Sequence, residues 1–227
     1  MRRKPPGRLA EIAEAAILVF TRQGYRRCQV VDIAAELGVS VGSLYSYATG
    51  KEALAQLALL HLLEQPLQDL ALPFAAGPEQ EKHLAELITA RGHWPLLSQA
   101  VAQTTPNGDA GSELAAIIGE LFDMTLRQRR LIRFLDACAL HMPMLARQFI
   151  IHIKQRYIEE LEQYLQQQQR CGRLVLPGPH AAGSVRALLE MVAWLSLHRQ
   201  ADAVSPPLDD AQARATAIAF AQAAFRA

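Results

Sequence analysis

Between Ser40 and Lys51 the chain reads SVGSLYSYATGK. Hydroxyls stand at Ser40, Ser43, Tyr45, Ser46 and Tyr47, a glycine at 42, and an ammonium at Lys51. These groups complete no catalytic set. The sequence has no HExxH, CxxC or phosphate-binding glycine loop. Its seven histidines show no metal-ligand spacing on one helix face. Asp136 and His141, five apart, do not share a face well. What short hydroxyls, a glycine and a flanking ammonium can do is meet another surface closely. Ser43 and Ser46 are compact hydrogen-bonding groups, and Gly42 lets backbone approach. Tyr45 and Tyr47 can reach phosphate oxygens through their hydroxyls, and Lys51 through its charge. The plainer reading packs both tyrosines inside a small helical head and leaves Lys51 as a solvated helix start.

Presenting such groups needs a rigid frame, and the flanking residues supply one. Leu9, Ile12, Ala16, Val19 and Phe20 fall on one helical stripe, with Gly24 suited to its C-terminal cap. Val30, Ile33, Ala34 and Leu37 mark a short second helix that Gly38 ends. Gly38 tolerates the positive φ of a tight turn, and Val39 fills the angle. Ser40 can cap a third, very short helix over about 41–47, with Leu44 turned inward against Ile33. Lys51 then opens a longer helix with Leu54, Leu57, Ala58 and His61 along one side. This is helix-turn-helix spacing, and it leaves the outer face of the third helix free.

The rest of the chain is helical in pattern too. Hydrophobic residues make up 51% of 227 and charged residues 20%, which predicts a packed core. Ala, Leu, Gln and Glu outweigh β-branched residues, which favours helix over strand. Residues 1–54 hold eight Lys or Arg against five Asp or Glu, although the whole chain carries only +1. Arg2, Arg3, Lys4 and Arg8 supply half of those cations; they read either as a phosphate-tracking arm or as a solvated terminus. "EQEKHLAELITARGHW" predicts a helix broken or kinked at Pro95. Residues 112–142 read as a long helical stretch capped by Ser112 and limited by Pro143. Residues 144–171 read as the longest uninterrupted helix, stopped by Gly172, followed by a helix over 181–200 and an Ala-rich one from about 208. Three cysteines without CxxC spacing suggest reduced thiols in a cytoplasmic protein, with Cys28 a small buried hydrophobe. No apolar run is long enough for a membrane span. The expectation is an all-α chain, with a helix-turn-helix head over 1–54 and a larger helical domain over 55–227, and no metal or cofactor.

Residues 8–58 resemble the DNA-binding domain of the tetracycline-repressor (TetR) family of bacterial transcriptional regulators. The resemblance rests on Ile12, AA at 15–16, Phe20, GY at 24–25, DIA at 32–34, GVS at 38–40, GSLYSY at 42–47 and KEAL at 51–54. It covers about a quarter of the chain, in order and without gaps. It implies a homodimer on a near-palindromic double-stranded DNA operator, released when the C-terminal domain binds a small-molecule effector. By position, Gln29, Val41, Gly42 and Ser43 would lie nearest bases. Tyr45, Tyr47, Lys51 and the start of the second helix would lie on phosphates. The departures are Cys28-Gln29 for the usual Thr-Thr, Val41 for Lys, Ala48 for an aromatic, and TG at 49–50 for PS. They imply a weaker cap on the second helix and a looser joint between the third and fourth.

For the effector, aromatic and polar side chains of the later helices give candidates: Trp94, Phe122, Phe134, His141, Phe149 and Trp194. Taken singly, each is more often a plain core residue than a pocket wall. Arg127, Arg129, Arg130 and Arg133 could attract an anion or simply be a solvated face. In the family resembled, the last two main helices form an intersubunit bundle, which points to dimerisation through 144–171 and 181–200. The stripe Val185, Leu188, Leu189, Val192, Leu195 and Ser196 suits such packing, unless it faces its own subunit's core. A different class of function also fits the pattern: a helix-turn-helix fold that docks a protein and binds little DNA.

Overall fold

The computed structural model describes residues 7–103, 107–142, 145, 147–204 and 207–226. Arg2, Arg3, Lys4, Pro143 and Met144 lie outside that set. Among the described residues the α-helices follow in this order: α1 Arg8–Gln23, α2 Val30–Leu37, α3 Val41–Tyr45, α4 Lys51–Leu62, α5 Pro78–Arg91, α6 Pro95–Ala102, α7 Ala110–Arg127, α8 Arg129–Cys138, α9 Arg156–Arg170, α10 Ala181–Ala193 and α11 Asp210–Ala224. Among the described residues β pairing is limited to one isolated bridge, Ala48 with Phe74. The chain forms two compact units. The first runs to Gly92 and takes back Arg130–Ile153; the second holds His93–Arg129 and the chain from Lys154 onward.

The first unit is built around α4. Every residue from Ala53 to Leu60 is buried, the mark of a helix enclosed on all sides rather than an amphipathic one. Its small residues, Ala53, Ala55 and Ala58, let α1 come close through Ile12, Ala13, Ala16, Val19 and Phe20. Each fully buried leucine here contributes on the order of 2 kcal/mol. α8 adds Leu131, Phe134, Leu135 and Cys138 to the same core. The Phe134 ring stands edge-on to Phe20, with centroids 5.9 Å apart. Glu14 of α1 ties the frame together on the outside, accepting from His61 of α4 and from Arg130 of α8. Partial burial opposes its charge, but those two donors outweigh it and hold the Glu14 carboxyl below the ordinary range.

The second unit packs α7 against α11, and α9 against α6 and α10. Arg214 of α11 grips Asp123 of α7 with two bonds, at 2.8 and 3.0 Å. Gly119 makes room for that guanidinium, since a Cβ there would fall 2.5 Å from Arg214 Nη2.

Several expectations from the sequence need correction. The cap of α7 is Asp109 rather than Ser112: the Asp109 side chain accepts from the Ser112 N–H at 2.7 Å. The stretch over 112–142 is two helices, since α7 closes at Gln128, whose N–H donates to the Met124 carbonyl. Pro95 begins a helix instead of breaking one: it occupies the first turn of α6, where its missing N–H is not needed. The next two N–H groups, of Leu96 and Leu97, donate to the Glu120 carboxylate. The helix expected over 144–171 is π-helical from Arg147 to Gln155 before α9 begins. The helix over 181–200 widens in the same way, from Trp194 to His198. There Ser196 Oγ donates to the Val192 carbonyl and Arg199 Nε to that of Leu195, so side chains compete for the helical acceptors.

Candidate nucleic-acid interface

α2 ends in a glycine turn. Gly38 sits at φ 71° and ψ 33°, and Val39 N–H donates to the Ala34 carbonyl at 2.9 Å. This closure satisfies the last carbonyls of α2 and turns the chain at once. Ser40 follows in extended geometry, and its Oγ accepts from Ser43 N–H at 3.2 Å. A helix of five residues has little stability of its own. α3 is held by this cap and by Leu44, buried in the core beside Ile33 and Ala34.

The outer face of α3 is what remains. Gly42 is exposed, with open space where a Cβ would stand. Ser43 is exposed, its Oγ 2.9 Å from Ser40 Oγ. Tyr45 is 47% exposed. Val41 and Tyr47 are half-buried and packed on the core, so for Tyr47 the packed alternative is part of the picture. Gln29 is exposed at the head of α2. Its backbone N–H donates to Asp32 Oδ2 at 2.8 Å, the Asp32 half of a capping box. Lys51 Nζ donates to the Arg26 carbonyl at 3.4 Å and lies 4.5 Å above the Tyr25 ring. Tyr25 stacks on Phe20 at 5.7 Å, faces the His141 ring at 6.3 Å, and donates its N–H to the Ala137 carbonyl.

Arg26 and Arg27, given no role from the sequence, stand just ahead of α2. Both are exposed, and among the described residues neither pairs with a carboxylate. The Lys51 bond places that ammonium beside them. The signal was present: two arginines immediately ahead of a short helix whose first turn faces outward. Cys28 itself is fully buried, and burial pushes its thiol up to about 11. Burial takes Cys138 to about 12.

The six effector candidates are divided between the two units. Phe134 and Phe149 belong to the core of the first unit, where His141 is exposed beside Tyr25. Trp94, Phe122 and Trp194 belong to the second. Trp94 is buried; its Nε1 donates to Glu160 Oε2 at 2.7 Å, and its ring meets Tyr157 edge-on at 5.1 Å. Phe122 is buried and Trp194 half-buried. Two side chains that the sequence did not single out for this role stand out in that unit. The Tyr157 hydroxyl is buried with no partner among the described residues, and burial raises it far above the usual phenol. Gln168 is buried, with Nε2 donating to Glu113 at 3.1 Å and Oε1 unpartnered. A cleft of about 470 Å³ also opens in this unit, lined by Asp109, Leu114, Arg173, Gln222 and Arg226 among others. None of the six candidates lines it. Among the described residues, no group of His, Cys, Asp or Glu is arranged to hold a metal ion, and no helix is long and apolar enough to cross a membrane.

Residues 12–58 match the family model for bacterial regulatory proteins of the tetR family, and residues 112–227 that for the C-terminal domain of AefR-like transcriptional repressors. Among curated proteins none matches. Among solved structures, the ketosteroid transcriptional regulator KstR2 of Mycobacterium tuberculosis is similar over 99% of this chain and 97% of that one, at 18% identity and a TM-score of 0.59. The TetR family transcriptional regulator PfmR of Thermus thermophilus is similar over 99% and 97%, at 20% identity and a TM-score of 0.52. At such identities the likeness extends to the fold alone.

Proposed function

The chain belongs to the TetR family of bacterial transcriptional regulators, and on that premise we propose that it is a repressor, binding a near-palindromic operator as a homodimer and released by a small-molecule effector. The observation that carries the reading is α3: one buried leucine anchors it, and Gly42, Ser43 and Tyr45 face outward. In this reading Gln29, Val41, Gly42 and Ser43 meet base edges, and Val41 offers apolar contact to a thymine methyl. Tyr45, Tyr47 and Lys51 hold phosphates, and Arg26 and Arg27 add two charges to that grip. The site of action is the cytoplasm, where the DNA is.

The effector enters the second unit. Tyr157 and Gln168 support this, because a buried hydroxyl and a buried amide oxygen without partners are costly unless a ligand's polar atoms meet them. Trp94, Phe122 and Trp194 would supply apolar wall. For dimerisation, the apolar stripes of the expected helices are used within the unit. Val185, Leu188, Val192 and Leu195 are buried in the single chain, as are Tyr157, Leu161, Tyr164 and Leu165 of α9. The faces left for a second subunit are Ala182, Gly183 and Ala187 on α10 and Phe220, 65% exposed, on α11.

The test is selection from randomised duplex DNA at two salt concentrations, with wild type and Tyr45→Phe/Lys51→Ala. A palindrome enriched by wild type and lost in the double variant is the expected result. Absence of enrichment together with absence of salt-dependent binding would sink the reading and favour a protein partner instead.

A further inference from the structure

Residues 63–77 join α4 to α5. α4 spans 12 residues, about 18 Å of helix, and the connection leaves at its far end and returns to its start. There Phe74 forms a parallel bridge with Ala48, in the turn between α3 and α4. Phe74 N–H donates to the Tyr47 carbonyl at 2.7 Å, and Thr49 N–H donates to the Phe74 carbonyl at 2.9 Å. The two bonds bracket Ala48, which is 1% exposed, while Phe74 is 6% exposed. The strap is fixed along its length. Its Leu63 carbonyl accepts from Arg91 of α5 at 2.9 Å, Leu67 is buried, and Gly77 N–H donates to Gln56 Oε1 on α4 at 3.4 Å.

α3 is too short to set its own direction. Just past its end, the Tyr47 and Ala48 N–H groups both return to the Leu44 carbonyl, which leaves the exit toward α4 to be defined from elsewhere. A small residue at 48 cannot fill that corner. Phe74, 26 positions further along the chain, docks on it through two main-chain bonds while its side chain is buried in the core of the unit.

We propose that Phe74 is a positioning residue of the nucleic-acid interface: docked on the 47–49 turn, it sets the angle at which α3 leaves α4, and the 63–77 strap is a working part of the DNA-binding head. This rests on the operator-binding reading above. It also makes the start of α5 mechanically continuous with the recognition helix. A mere core filler would act differently, loosening the whole unit when removed.

The experiment compares wild type, Phe74→Ala and Phe74→Leu in the full-length protein, by amide exchange and by affinity for the duplex that wild type selects. Expected for Phe74→Ala is at least tenfold faster exchange in the peptide covering 44–50, unchanged exchange in the peptide covering α1, and at least tenfold weaker DNA binding. Both variants keep the two main-chain bonds, and Phe74→Leu also keeps most of the apolar fill, so changes within threefold, confined to 44–50, are expected for it. If the alanine variant does not fold, Phe74→Val carries the same test, with faster exchange again confined to 44–50 and weaker DNA binding expected. Faster exchange spread evenly over α1 and α4 would make Phe74 a core residue only and overturn the proposal. Unchanged operator affinity with a loosened 44–50 peptide would overturn it as well. Should wild type select no duplex at all, the operator reading fails; the exchange pattern still shows whether the strap holds α3.

Discussion

The two units bury different chemistry. Among the described residues, the interior of the first is apolar almost throughout, with Gln56 its one buried polar side chain. The second buries Gln168, Ser184, Ser196 and Arg199. The first unit therefore displays its polar groups, on the outer face of α3 and ahead of α2, on a rigid apolar base. The second encloses them. Arg199 is the clearest case, since its guanidinium donates to the Leu195 and Leu208 carbonyls and pairs with Asp210. Thr125 Oγ, likewise, meets Ser196 Oγ at 2.8 Å. A surface that must fit a regular polymer is served by rigidity. An interior that must fit one particular small molecule is served by fixed internal donors and acceptors.

The largest effect should come from the enclosed polar network. Arg199→Ala removes a cation that holds α10 to the start of α11 and leaves the Leu195 and Leu208 carbonyls without that donor. A loss of about 3 kcal/mol is expected in denaturant unfolding, and a loss under 1 kcal/mol would show that the network is ornamental to stability. In the head, removing displayed charge should leave folding intact. Arg26→Ala/Arg27→Ala is expected to unfold like wild type while the slope of log affinity against log salt falls by about 2, one per phosphate contact. An unchanged slope would take both arginines out of the interface.

Gly38 and Gly42 separate folding from contact within one short segment. Gly38 occupies the left-handed region, so Gly38→Ala should cost about 1 kcal/mol. Gly42 lies within α3 with free space around it, so Gly42→Ala should leave stability level or slightly raised. It should still weaken operator binding if backbone approaches the bases there. Glu14→Gln should give the smallest change. The carboxyl is held low in the folded state, so its contribution is present above about pH 4.5 and fades as pH falls through the folded value. The difference in melting temperature between wild type and variant should therefore shrink on acidification below pH 4.5. A difference that grew would reverse the sign of the argument.

Local chemistry made the head legible. Gly24, Gly38, Ser40 and Leu44 each act within a few residues of themselves, through a cap, a turn or a one-turn stripe, so the residue type and its neighbours were enough. The all-α class was legible for the same reason. Asp109 over Ser112 as a cap, and Pro95 as a helix start, were written in local rules too, but two candidates competed at each place. What resisted reading was long-range. Phe134 and Phe149 have the composition of a pocket wall, yet they fill the core beneath α1 and α4, because burial depends on what the fold places opposite. The stripe at Val185, Leu188 and Val192 fits a partner helix or its own unit equally well as a pattern of spacings. Only the packing of a single chain shows it already covered.

By itself, then, the amino-acid order determined the helices, the glycine turn at 38, the serine cap at 40 and the groups that α3 holds outward. Those depend on backbone torsions and hydrogen bonds spanning three or four residues. The tertiary structure alone decided that the described residues of 130–153 join the compact unit of the head, and that Tyr157 and Gln168 end with polar atoms that meet no partner among the described residues. It also decided that Phe74 reaches Ala48. Each of these is a meeting between residues far apart in the chain, and such meetings follow from how the helices fill space against one another, which no local pattern encodes.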